Sequence, residues 1–110
     1  MRFTWDEQKN AANLAKHGVS FERATLVFDD PRTVSLPDDC ELEERWLTIG
    51  LVNGVVVLVV VHTLEQRADK TGNEDEDEDE DENEEEVRII SARKATRRER
   101  EVYERARQNP

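Results

Sequence analysis

A chain of 110 residues with a formal charge of −11 is enough for one domain, and at face value that charge argues against any phosphate-rich partner. Its longest apolar run, Val55 to Val61, falls far short of the ~20 residues that span a bilayer, and its N-terminus has no apolar export signal, so a cytoplasmic protein without membrane association is expected. A lone cysteine, Cys40, excludes an internal disulfide and, with only His17 and His62 to help, offers no metal cluster.

The first element is a short strand, RFTW, followed by Asp6 as N-cap of a helix that runs through EQKNAANLAKH to a left-handed stop at Gly18. Ser20 caps a second, shorter helix, SFERATLVF, which ends at DDP. RTVSL reads as a short strand and PDDCELEE as a polar loop. RWLTIGLV and VVVLVVVHT are β-rich runs on either side of Asn53-Gly54, whose tolerance of positive φ suits a type I′ hairpin turn. The second run is apolar on both faces, which predicts a central strand covered on both sides. EVRIISA is the next strand, and RKATRREREVYERARQ is a basic amphipathic helix. Its apolar stripe is Ala95, Val102, Tyr103 and Ala106, with Arg93, Arg97 and Arg100 on another stripe. The order β-α-α-β-β-β-β-α predicts a single α+β domain over residues 1–110, an antiparallel sheet with two N-terminal helices and one C-terminal helix.

Between the last two strands lies the segment that sets the net charge. Residues 73–86 hold 12 Asp or Glu and no Lys or Arg, so without them the charge rises from −11 to +1. A block of like charges with no apolar residue buries nothing and repels itself, which predicts a disordered acidic hairpin loop at about 68–86. From Val87 onward the chain holds 8 Lys/Arg against 3 Glu, so the basic part is the part expected to fold. Tethered beside these cations, the tract is either an intramolecular competitor for a phosphate-bearing ligand or a solvated loop without effect on the site.

Three constellations could do chemistry. Lys9, Asn13 and Lys16 share one face of the first helix, with His17 beside its terminal glycine; an ordinary solvated face accounts for them equally. Arg45 shares parity with Leu47, Ile49 and Leu51, and Arg88 with Ile90 and Ala92, which puts both arginines on one sheet face, either reaching for phosphate or paired to a carboxylate such as Glu43 or Glu44. Arg93, Lys94, Arg97 and Arg98 crowd the start of the last helix, where Ser91 or Thr96 could cap. Cations there oppose the helix dipole unless an anion, or Glu99, Glu101 and Glu104, compensates. His62, at the end of an apolar strand, is either part of a site or a satisfied near-core imidazole.

Taken in order, FTWD from Phe3, KxxxNxxKHGVSF from Lys9, ATLVFDD from Ala24, ERWLTIG from Glu44 and RIISARKATxxERxxY from Arg88 resemble the BrnT family of type II toxin-antitoxin systems. The resemblance runs from residue 3 to about residue 105 and is interrupted chiefly by the acidic tract. It implies a RelE-like fold, ribonuclease activity without metal or nucleotide cofactor, and neutralisation by a ribbon-helix-helix antitoxin of the BrnA type, through which alone operator DNA is contacted. Under the resemblance, Arg45, Arg88 and Arg93 bind phosphate and stabilise the transition state, His17 transfers a proton, with His62 a second candidate, and Lys16 assists. Lys94, Arg97 and Arg98 then contact the RNA, and Tyr103 packs beneath the site. Family members usually join the last two strands by a short loop, often preceded by an arginine; here only Arg67 could fill that place. Two other functions remain open: a non-catalytic homologue that only binds antitoxin within a DNA-binding repressor complex, and an acidic mimic of nucleic acid.

Overall fold

Apolar alternation and one tight turn build the sheet, and the helices follow from where the sheet leaves apolar surface. A computed structural model describes residues 1–38, 43–66 and 85–108, with the side chains of residues 66 and 108 not described. Its strands are β1 (Arg2–Thr4), β2 (Val34–Asp38), β3 (Arg45–Val52), β4 (Val56–Gln66) and β5 (Glu85–Lys94). They lie in the order β1-β5-β4-β3-β2. β2 to β5 form the expected antiparallel meander, and β3 turns into β4 at Asn53 (φ 54°) and Gly54 (φ 67°). β1 completes a mixed sheet by pairing parallel to β5, with Thr4 opposite Arg88.

Strand β5 departs from strict alternation. Val61 pairs with Ser91 and His62 with Ile89, so Ile90 is an extra residue on the β5 side, a β-bulge. Below the bulge Val87 and Ile89 face one side of the sheet; above it Ala92 faces that same side. The expected common parity of Arg88, Ile90 and Ala92 is therefore corrected: Ala92 joins Val87 and Ile89, and Arg88 falls on the opposite side with Ser91 and Arg93. Strand β4 is covered on both faces, as its composition predicts. Leu58 and Val60 pack with Val19, Phe21, Ala24 and Val27 on one side, while Val57 and Val59 pack with Ile49, Ala95 and Tyr103 on the other.

Helix α1 (Glu7–His17) starts where Asp6 accepts hydrogen bonds from the Gln8 and Lys9 amides and ends at Gly18 in the left-handed region. The expected second helix is only a single turn, α2 (Phe21–Ala24), and its continuation Thr25–Asp29 tightens to a 3₁₀ helix. That tightening presses Val27 onto β3 at Gly50, where a Cβ would stand 2.8 Å from Val27 Cγ1, so only glycine fits. Helix α3 (Arg97–Gln108) begins later than its run of cations suggests, and Arg93 and Lys94 belong to β5. The predicted helical stripe of Arg93, Arg97 and Arg100 therefore does not exist. Of the expected apolar stripe, Ala95 and Tyr103 are buried, whereas Val102 and Ala106 are exposed. The acidic loop lies outside the described residues, except that Glu85 and Glu86 are the first residues of β5; Arg67 and Cys40 also lie outside them.

Candidate active site

Helix α3 covers only part of its side of the sheet, and the pairing registers say what the remainder presents. Across the strands, Val34, Ile49, Val59 and Arg93 form one rung, the first three of them packed in the core beneath α3. The next rung is Leu36, Leu47, Val61 and Ser91, and the one after joins Asp38 to Arg45 and Thr63 to Arg88. Leu36 is 39% exposed and Leu47, Val61 and Ser91 are half-buried, so an apolar floor lies open between Arg45 and Arg88 on one side and Arg93 on the other. Sequence parity alone put Arg45 on this face; the bulge at Ile90 puts Arg88 and Arg93 there together.

Each of these arginines has a carboxylate beside it. Arg45 Nε stands 3.6 Å from Asp38 Oδ2, too long for a hydrogen bond, and is buried without another acceptor among the described residues. Arg88 Nη2 lies 3.4 Å from Glu43 Oε2 with both side chains exposed, a pair that contributes little to stability and exchanges easily. Arg93 is different. Its Nη1 and Nη2 donate to Glu99 Oε1 and Oε2 at 2.7 and 2.9 Å, a bidentate pair. Glu99 also accepts the Thr96 amide at 2.9 Å, and its own amide donates to Thr96 Oγ1 at 3.2 Å, a capping box that starts α3. Arg93 and these hydrogen bonds outweigh burial and hold the Glu99 carboxyl down at about 2; Glu99 in turn raises Arg93.

The surroundings of Arg88 are acidic. It lines a cleft of about 370 Å³ with Glu43, Glu44, Glu65, Glu86 and Thr63, at the end of the hairpin from which the acidic segment departs. These glutamates share the cleft with Arg88, so its attraction for an anion is partly cancelled there.

The remaining expected residues fall elsewhere. Lys94, Arg97 and Arg98 are exposed at the junction of β5 and α3; Arg97 pairs loosely with Glu101 at 3.7 Å. Lys16 is exposed and His17 half-buried at the end of α1, and no described contact joins either to the three arginines. Asn13, on the face read as possibly solvated, is buried. It bonds both the amide and the carbonyl of Ala92, filling the place of a neighbouring strand along the free edge of β5. His62 is a satisfied core imidazole, packed edge-on against Phe28. Its Nδ1–H donates to the Thr63 carbonyl at 3.0 Å, which leaves Nε2 to accept from the Thr48 hydroxyl at 2.7 Å, itself 2.8 Å from Ser35 Oγ. Burial lowers the His62 pKa against the opposing pull of Thr63, so the ring is neutral and occupied at both nitrogens. Tyr103 packs its ring beneath the face, as expected. Its hydroxyl donates to Asp30 Oδ2 at 2.6 Å, and burial followed by Asp30 pushes its pKa up to about 12. Glu99, Glu43, Asp38 and Asp30 were not singled out as site residues from the sequence, although Thr96-x-x-Glu99 is a legible capping-box signature. Among the described residues no group of His, Cys, Asp and Glu is arranged to hold a metal ion.

A family model described as the ribonuclease toxin BrnT of type II toxin-antitoxin systems matches residues 5–99. The chain belongs to the BrnT family. Its fold is similar to the 1.1 Å crystal structure of the Brucella abortus ribonuclease toxin BrnT, at 24% identity and a TM-score of 0.56, over 88% of this chain and 99% of that one. At that identity the likeness concerns the fold alone. No curated protein matches the chain. As a BrnT family member, the protein is the toxin of a type II pair and has an antitoxin as its partner. Among the described residues no helix is long and apolar enough to cross a membrane.

Proposed function

We propose that this BrnT family toxin is a metal-independent endoribonuclease that cleaves RNA through the 2′-hydroxyl and is restrained by a BrnA-like ribbon-helix-helix antitoxin. The observation that supports this reading is the convergence of Arg45, Arg88 and Arg93 on one open sheet face. Cleavage of this kind requires the 2′-hydroxyl to lose its proton and attack phosphorus while the 5′-oxygen leaves with a proton. Negative charge grows on the phosphoryl oxygens as it does so, and guanidiniums aimed at those oxygens stabilise it. His62 is too buried and too fully bonded to move that proton, which leaves His17 as the histidine candidate, with Lys16 beside it. Lys94, Arg97 and Arg98 supply exposed charge along which an RNA strand can run.

A second reading is favoured by one observation, the carboxylate beside each arginine and the four glutamates around Arg88. In that reading the chain is a non-catalytic homologue that binds antitoxin within a repressor complex on operator DNA. Incubating the purified toxin, freed of antitoxin, with RNA in a chelator separates the two. Fragments ending in 2′,3′-cyclic phosphate and beginning with 5′-hydroxyl are expected; intact RNA at every protein concentration would leave the binding role. Co-expression with the neighbouring open reading frame should rescue growth and yield a complex, and failure of both would remove the BrnA-like partner.

A further inference from the structure

Arg93 is held firmly at one edge and open at another. A guanidinium has two forked edges, an end-on edge formed by Nη1 and Nη2 and a side-on edge formed by Nε and Nη2. Glu99 fills the end-on edge at 2.7 and 2.9 Å, and the outer hydrogen of Nη1 is directed at the Lys94 carbonyl at 3.4 Å. On the side-on edge, no described residue accepts from Nε or from the second Nη2 hydrogen. Arg93 Nε is not a buried orphan as Arg45 Nε is, and the Arg93 side chain is 34% exposed.

Glu99 cannot swing away easily, because the Thr96 amide holds Oε1 and the Thr96 hydroxyl holds the Glu99 amide. The pair therefore fixes the plane and direction of a guanidinium on the same sheet face as Arg88. Rotamer freedom that a loose arginine would lose on meeting a ligand is already lost on folding. Arg45 and Arg88, with acid partners at 3.6 and 3.4 Å, are not held in this way.

We propose that Glu99 is a positioning residue for RNA cleavage, which grips the end-on edge of Arg93 and so presents its side-on edge, Nε and Nη2, to two oxygens of a bound phosphodiester. This rests on the reading of the open face as an RNA-cleaving site. A carboxylate beside a phosphate-binding arginine weakens long-range attraction, but the directional fork is preserved and pre-aimed. Glu99→Gln is the informative variant, since its amide oxygen can still accept from Thr96 and keep α3 capped while the paired ionic grip is lost.

The test is a double-mutant cycle of Glu99→Gln and Arg93→Ala. It follows cleavage of an RNA oligonucleotide in a chelator and, separately, binding of its uncleavable 2′-O-methyl counterpart. In the Arg93 protein, Glu99→Gln is expected to lower kcat/KM and affinity for the counterpart by about tenfold; in the Arg93→Ala protein it should change either by no more than about twofold. A Glu99 that serves only to hold α3 would cause the same loss in both backgrounds, and that additivity overturns the proposal while leaving cleavage itself intact. If the wild-type chain binds the uncleavable RNA but cleaves none, the cleavage reading fails and the cycle in affinity alone decides the role of Glu99. A wild-type chain that neither binds nor cleaves overturns both.

Discussion

Arg88 and Arg93 face the same side of the sheet although four residues, an even number, lie between them, because Ile90 stands outside the β4–β5 pairing. A regular strand would have sent one of them into the opposite layer, among Val87, Ile89 and Ala92. The bulge thus assembles the candidate site from residues whose spacing should have kept them apart.

The two arginines differ in what they do for the fold. Arg88 is exposed and loosely paired with Glu43, so Arg88→Ala should leave stability within about 0.5 kcal/mol of wild type. It should slow RNA cleavage on the order of 10²- to 10³-fold, the usual loss for one transition-state donor. The double variant Arg88→Ala/Arg93→Ala should be folded by circular dichroism and without detectable cleavage. A folded double variant that cleaves at the wild-type rate removes both residues from the mechanism.

How far the sequence carried depends on whether a signal was local. Asn53-Gly54 and the cap at Asp6 declare themselves within a few residues, and both are where they were expected. Nothing in RFT announces that it pairs with residues far along the chain, so the parallel edge of the sheet was not legible. Nor was the bulge, because Ile89 and Ile90 are equally apolar and either could face a core. The start of α3 was written in Thr96-x-x-Glu99 but masked by the basic run before it, whose Arg93 and Lys94 end a strand instead. Parity placed Arg45 correctly, whereas Arg88 reached the expected face on the side opposite Ala92; Glu43 was legible as an acid partner, while Asp38 depended on strand pairing.

Tyr103 and Asp30 fasten α3 to the turn before β2. Asp30 also accepts the amides of Leu51 and Arg32; burial pulls its pKa up, but these hydrogen bonds together outweigh it and leave the carboxyl below its ordinary value. Removing the hydroxyl in Tyr103→Phe should cost about 1.5–3 kcal/mol in urea unfolding, since the lost bond is to a charged acceptor. A phenol whose folded pKa is raised contributes stability below its unfolded value of 10.0 and loses it as pH climbs to about 12. That alkaline loss should be present in the wild type and absent from Tyr103→Phe.

The acid limb has two windows. His62 is depressed by burial, so stability is full above its ordinary value of 6.5 and declines as pH falls below it; His62→Gln should flatten that first decline. Glu99 is depressed from 4.5 to about 2, so its contribution is present above pH 4.5 and lost on the way to about 2. Allowing for partial exposure, this second loss should be on the order of 1–2 kcal/mol and disappear in Glu99→Gln. Melting temperatures measured across both windows check each variant against its own step.

Gln66 and Glu85 are partners across the β4–β5 ladder, so residues 67–84 leave and rejoin the fold at neighbouring positions. Replacing them with a short Gly-containing turn should keep the melting temperature. If the acidic tract competes with RNA for the arginines, the shortened toxin binds RNA more tightly at low salt, and the advantage fades as salt rises. Equal affinity at every salt concentration would exclude competition.

The parallel pairing of β1 with β5 also sets an order of events during synthesis. Phe3, Trp5 and Phe21 lie in a layer whose floor includes Val87, Ile89 and Ala92, and Asn13 anchors α1 to Ala92 across a separation of 79 residues. A ribosome must therefore release the chain through β5 before β1 and α1 have a sheet to settle on. Arg88 and Arg93 emerge in that same late stretch, so the open face and the fold that supports it are completed together. Until then Phe3, Trp5 and Phe21 have no sheet to pack against, and Arg88 and Arg93 are not yet held on one face.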